Sequence, residues 1–265
     1  MQKNLTIFLL FVAFLTHAQR TMFGGNNNYM APAVPFQAPP IITLGLIQNL
    51  DASDPMSYQV ANGNTWYDLA GSNHGTIVGA TYANAGGVAY FNYNTKTANC
   101  YVSAPLSKTA SMTFNVWAKV SSIMQYSCML FNAGPVGSGP DLFFYNAKCF
   151  WNTWDSEGSP FKNSSNVPVS TTTMKPNVNW HNYTVVVDAS ANNAKLYFDG
   201  VFMGTAPYWS PVRSSPTELV IGGSGPNDVG WNWLGGIASF QSYNRALSAT
   251  EVTSNFNAFK TRFGL

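Results

Sequence analysis

Charge is what this sequence has least of. Asp, Glu, Lys and Arg supply 9% of its 265 residues, against about 25% in an average soluble domain. That scarcity excludes a charged coiled coil or a polyelectrolyte tail. With 13 basic and 11 acidic groups and no basic block, nothing marks a tracker of phosphate backbones, so nucleic acid is not an expected partner. Carboxylates for catalysis are also few. Glycoside hydrolysis needs two of them about 5–9.5 Å apart, and the closest-spaced pair is Asp155-Ser156-Glu157. Gly158-Ser159-Pro160 follows at once and reads as a loop. Histidine is confined to His17, His74 and His181. No G-x-S-x-G elbow is present, and no glycine-rich loop opens a helix. A non-enzymatic chain is the expectation, with a divergent glycoside hydrolase as an alternative. The cysteines show no C-x-x-C spacing and the histidines are scattered, so no zinc site is expected. No apolar run approaches the ~20 residues of a membrane-spanning helix.

Apolar residues are plentiful, at 46%, and aromatics reach 15%, which is enough to build a sizeable core. Asparagine occurs 28 times and glycine 22 times, a composition suited to turns between short strands. Residues 1–18 read as a secretory signal. Lys3 starts it, Ile7 to Leu15 form its apolar run, and Thr16-His17-Ala18 offers a cleavage site before Gln19. Residues 19–41 read as a flexible Gly/Asn/Pro arm, and 42–265 as one domain. A secreted or particle-surface location follows. Of the three cysteines, Cys128 and Cys149 lie symmetrically about the Gly137-Ser138-Gly139-Pro140 turn. If the flanking runs pair as one hairpin, the two face each other at bridging range, and they are the disulfide candidate. Two buried thiols are the other reading.

Strands are expected at 76–82, 87–93, 111–119, 126–132, 142–151, 217–222 and 235–243, from short β-branched and aromatic runs bounded by turn residues. Tyr183–Asp188, Lys195–Phe198 and Val201–Gly204 read as a meander whose second turn is Asp199-Gly200, since both positions tolerate positive φ. One helix closes the chain: Ser248-Ala249-Thr250-Glu251 is a capping box, and Val252, Phe256 and Phe259 share a face. Trp66, Trp117 and Trp180 are expected in the core.

In this order the segments resemble the laminin-G-like, concanavalin A-like jelly-roll family. The carriers are Leu50-Asp51-Ala52-Ser53-Asp54-Pro55 through Trp66-Tyr67-Asp68-Leu69-Ala70-Gly71, Trp180-His181-Asn182-Tyr183 into Leu196-Tyr197-Phe198-Asp199-Gly200, Val220-Ile221-Gly222-Gly223, and Tyr243-Asn244-Arg245-Ala246-Leu247-Ser248 into Glu251. The resemblance covers about residues 44–264. It implies an all-β antiparallel jelly-roll sandwich and extracellular recognition, most often of glycans and sometimes of protein. Two features depart from the family. Tyr93-Asn94-Thr95 stands where many members carry an aspartate that helps bind calcium, and a neutral amide is a weaker calcium ligand. The E-x-D-x-E strand of glucanases with this fold is absent.

Sugar rings present apolar C–H faces that sit on aromatic rings while nearby polar groups orient the hydroxyls. Trp151, Trp154, Asp155 and Glu157 have that character in one segment, Trp209 is a second candidate, and Trp231 a third. The leading expectation is a non-catalytic, lectin-like module binding a glycan or surface glycoprotein in adhesion. The alternative is a self-associating structural subunit of a virion, filament or surface layer, with the 19–41 arm docking on a neighbour.

Overall fold

The computed structural model describes residues 40–95, 99–121, 128–132, 140–146, 148–152, 159–170, 174, 178–207, 218–223, 225–226 and 229–265. All lie in the unit Ala38–Leu265. The expected signal and the arm through residue 39 lie outside them.

Period-two alternation builds two antiparallel sheets, since successive side chains on a strand point to opposite faces. The first sheet runs β14 (Val201–Pro207), β13 (Asn193–Phe198), β12 (His181–Asp188), β7 (Met112–Val120), β16 (Gly235–Tyr243), β5 (Val88–Tyr93) and β4 (Thr81–Ala85), with β1 (Leu46–Asp51) also paired to β16. The second runs β11 (Ser159–Pro160), β10 (Lys148–Asn152), β9 (Asp141–Tyr145), β8 (Cys128–Asn132), β15 (Glu218–Ile221), β6 (Tyr101–Pro105), β3 (Gly75–Val78) and β2 (Thr65–Trp66). The all-β sandwich expected from the sequence is the observed architecture. Asp199 and Gly200 adopt φ of 50° and 74°, the signs a type I′ turn requires. The 76–82 run divides at Gly79. The 142–151 run divides at Asn146, whose φ is 48°, as asparagine tolerates the left-handed region better than most side chains.

Between the sheets Phe114, Val116, Phe131, Phe144, Trp151, Val185, Leu196 and Phe240 form one dry cluster. Phe131 contacts Phe114 at 4.8 Å and Phe240 at 5.8 Å between ring centroids, so aromatic packing ties the two sheets together. Trp66 and Trp117 are fully buried and Trp180 nearly so, as expected.

The division at Asn146 corrects the disulfide candidate. The runs bearing Cys128 and Cys149 are not one hairpin, because β9 lies between them. Both cysteines stand opposite the same residue, Phe144, on either side of it. Two strand spacings of ~4.8 Å exceed the ~7 Å Cα separation a bridge tolerates. All three thiols are buried and unbridged, and burial pushes the Cys149 thiol well above its ordinary pKa.

The middle of the first sheet's outer face is covered, while Phe202 at the β14 edge stays exposed. Helix α1 (Ala249–Phe259) and the following 3-10 turn lay Phe259 and Phe263 on Trp117, Trp180 and Ala238, and Val252 on Val186, Tyr197 and Tyr243. The Trp117 and Phe263 rings stack at 4.1 Å. Between these apolar clusters runs a buried polar row. Thr184 Oγ1 donates to Asn115 Oδ1, Asn115 Nδ2 to Gln241 Oε1, and Gln241 Nε2 to Asn49 Oδ1. The buried Asn115 and Gln241 amides each both donate and accept within the row, which is what makes their burial tolerable. Among the described residues no helix is long and apolar enough to cross a membrane.

Two ion pairs fasten this cover. Arg262 grips Asp51 with two bonds of 2.7 and 3.0 Å, with both side chains at most 5% exposed. Arg245 grips Glu251 at 2.6 and 2.9 Å, while the Glu251 carboxylate also accepts the Ser248 N–H and Ser248 Oγ accepts the Glu251 N–H in the expected capping box. The Arg245 guanidinium, then the Ser248 backbone N–H, hold the Glu251 carboxyl down at about 2.

Three outcomes follow. Asp51→Asn leaves Arg262 buried without its counter-ion and lowers unfolding stability by about 3–5 kcal/mol; a loss under ~1 kcal/mol in denaturant titration contradicts the role given to the pair. Glu251 has a depressed folded pKa, so its contribution is complete above its ordinary value near 4.5 and is lost as pH falls toward about 2. Stability curves of wild type and Glu251→Gln should therefore differ at pH 6 and converge near pH 2, and parallel curves would contradict this. Without reductant, denatured protein should titrate three thiols; a single thiol would restore the bridge.

Candidate functional site

The outer face of the second sheet is built differently. On β9, Leu142 and Phe144 join the core cluster, so Asp141, Phe143 and Tyr145 face outward. On β10, Cys149 and Trp151 join the core, so Lys148 and Phe150 face outward. The register sets Phe143 opposite Phe150 and Tyr145 opposite Lys148. The Phe143 and Phe150 rings stack at 5.3 Å with 13° between their planes. The 3-10 turn Val229–Trp231 lies against β8 and brings Trp231 edge-on to Phe143 at 5.6 Å and tilted against Tyr145 at 6.1 Å. Four aromatic rings thus form a continuous platform. Phe150 and Trp231 are half-buried and Tyr145 is 44% exposed. Phe143 beneath them is buried, and the ring area that Tyr145, Phe150 and Trp231 leave exposed invites a partner, because it remains wet until one covers it.

Polar groups adjoin the platform in register. Asp141 stands opposite Asn132, which stands opposite Val220. Val220 is the outward residue of β15, since Leu219 and Ile221 are in the core cluster. Asn132 and Asp141 are both buried, and neither Asn132 Nδ2 nor Asn132 Oδ1 has a hydrogen-bond partner. A buried amide with both ends unspent is uncommon and calls for an explanation. Desolvation lowers the Lys108 pKa, while the nearby Asp141 carboxylate acts to raise it. An aromatic floor with the exposed Lys148 in register beside Tyr145 can seat an apolar ring face.

The expected site residues fall in three groups. Trp231 is part of the platform. Trp151 is corrected: expected to contact a ligand, it is 1% exposed and packs against Phe131 and Phe161, because strand alternation turns it inward. Trp154, Asp155, Glu157 and Trp209 lie outside the described residues. Phe143, Tyr145 and Phe150 were missed. Their signal was the alternation on either side of Asn146, which a single ten-residue strand conceals.

Most described carboxylates are engaged elsewhere. Asp51 and Glu251 hold arginines; Asp54 and Asp68 accept backbone N–H groups; Asp188 accepts from the turn at Ser190; Glu218 accepts from Ser103 Oγ. Asp199 pairs with His181 Nδ1 at 2.7 Å and accepts the Asn182 N–H, which makes His181 a brace of its hairpin. Among the described residues no three His, Cys, Asp or Glu side chains converge to hold a metal. At the position of the family's calcium-binding aspartate the neutral Asn94 is exposed beside the buried Tyr93, and these residues do not fit a calcium ligand set.

Comparison with known proteins places the architecture. A family model of laminin G type, described as the concanavalin A-like lectin/glucanases superfamily, matches residues 92–253. No curated protein sequence matches the chain. Solved structures share the fold at low identity. The botulinum neurotoxin serotype D binding domain is 14% identical with a TM-score of 0.57, over 82% of this chain and 52% of that one. The binding domain of Paraclostridial Mosquitocidal Protein 1 is 13% identical with a TM-score of 0.57, over 81% and 52%. Trypanosoma rangeli sialidase in complex with sialic acid is 15% identical with a TM-score of 0.57, over 83% and 33%. The chain spans about half the length of the toxin domains and a third of the sialidase.

Proposed function

The chain belongs to the concanavalin A-like lectin/glucanase superfamily, and from that premise we propose that it is a non-catalytic recognition module that binds glycans on the outer face of its second sheet. The observation that carries this reading is the platform of Phe143, Tyr145, Phe150 and Trp231. The rings supply the apolar floor. Lys148, exposed and in register with Tyr145, can donate to a hydroxyl at the platform's edge. On the first sheet helix α1 occupies the middle of the outer face. The export signal expected at residues 1–18 accords with a module acting outside the cell, in adhesion to a glycan or glycoprotein surface.

The test is a glycan array probed with the full chain, followed by titration of the best-bound glycan against variants. Trp231→Ala and Tyr145→Ala should each weaken binding tenfold or more, as loss of an aromatic anchor does, with little change in thermal stability. Trp151→Ala should instead destabilise the fold by about 3–5 kcal/mol. Unchanged affinity in both platform variants would overturn the reading.

A further inference from the structure

A second concave surface opens where the edges of the two sheets meet. Just beyond β11, Lys162 pairs with Thr205 of β14: each N–H donates to the other's carbonyl at 2.8 Å. Gly204 makes the approach feasible, because a Cβ there would lie 2.4 Å from the Lys162 carbonyl oxygen. Over this seam lies a groove of about 560 Å³, in the size range of small-ligand sites. Pro160 and Pro207 are among its lining residues, and Lys162, Asn163, Asn166 and Asn193 give it its chemistry. The loop carrying two of these amides is fixed in advance. Asn163 Oδ1 accepts the Ser165 and Val167 N–H groups at 3.0 Å each, and Asn166 turns the chain at φ 61°. Asn193 Oδ1 is enclosed without a hydrogen-bond partner.

We propose that this groove is a second saccharide site, selective for a sugar that carries a carboxylate or sulfate. Asn163 Oδ1 is spent on Ser165 and Val167, which leaves its Nδ2 to donate, and the exposed Asn166 amide offers donor and acceptor together for a sugar's hydroxyls. No aromatic ring is among the described lining residues, so recognition here rests on hydrogen bonds and charge. Lys162 supplies the cation, and no described lining residue is a carboxylate that would repel an anion. The proposal shares with the platform reading the premise that the ligand is a saccharide, but none of its residues.

The experiment is an NMR titration of the full chain with matched probes. Methyl glucuronide is compared with methyl glucoside, and N-acetylglucosamine 6-sulfate with N-acetylglucosamine. At least one charged probe should shift the side-chain amides of Asn163, Asn166 and Asn193 and bind about tenfold more tightly than its neutral partner, as a charge-assisted contact does. Which pair responds separates carboxylate from sulfate. Lys162→Gln, which keeps the backbone seam, should abolish the difference, whereas Trp231→Ala should leave it intact. Equal binding of charged and neutral probes, shifts confined to other surfaces, or discrimination that survives Lys162→Gln would overturn the proposal. Failure of the platform reading would show separately, as unaltered array binding in the Trp231 and Tyr145 variants.

Discussion

Everything on the outside of this molecule depends on the register of side chains facing its dry interior. The two sheets pack through Phe114, Phe131, Phe144, Trp151 and Phe240. On a strand, a shift of one residue exchanges the entire inward set for the outward set. Burying Leu142, Phe144, Cys149 and Trp151 is therefore the same event as presenting Phe143, Tyr145 and Phe150. A slip on β9 or β10 would place Asp141 and Lys148 in the core without partners, at a cost of several kcal/mol each. The core selects the register, and the register builds the platform.

The two outer faces then diverge because helix α1 covers the middle of only one. The C-terminal helix is held down at both ends, by Arg245 and Glu251 at its start and by Arg262 and Asp51 just beyond its end. Its aromatic side chains reach Trp117 and Trp180 across the first sheet. That face also carries a polar row in which Thr184, Asn115, Gln241 and Asn49 bond to one another. The second sheet instead turns Tyr145, Phe150 and Trp231 outward with part of their ring area exposed.

Much of the fold was legible in local sequence chemistry. Asp199-Gly200 fixes a hairpin because few residue pairs accept positive φ twice, and Ser248 with Glu251 marks a helix start through bonds spanning three residues. The burial of Trp66, Trp117 and Trp180 followed from their place in apolar strands. Less was legible at the candidate site. Residues 142–151 are β-formers almost throughout, so the turn at Asn146 carried little signal, and without it the cysteines appeared to face each other and Trp151 appeared to point outward. The grip of Arg262 on Asp51 joins residues 211 positions apart, a closeness set by the packing of sheets and not by any local pattern. Trp231 stood out in the sequence because it sits among turn residues, where aromatic rings are conspicuous.

Register and recognition can be read together by hydroxyl-radical footprinting of the full chain, with and without the glycan it binds best. Tyr145 and Trp231 should be oxidised readily in the free protein and protected when the glycan is present, while Trp151 should resist oxidation in both states. Oxidation of Trp151 at the rate of Trp231, or platform residues equally reactive with and without bound glycan, would contradict the account.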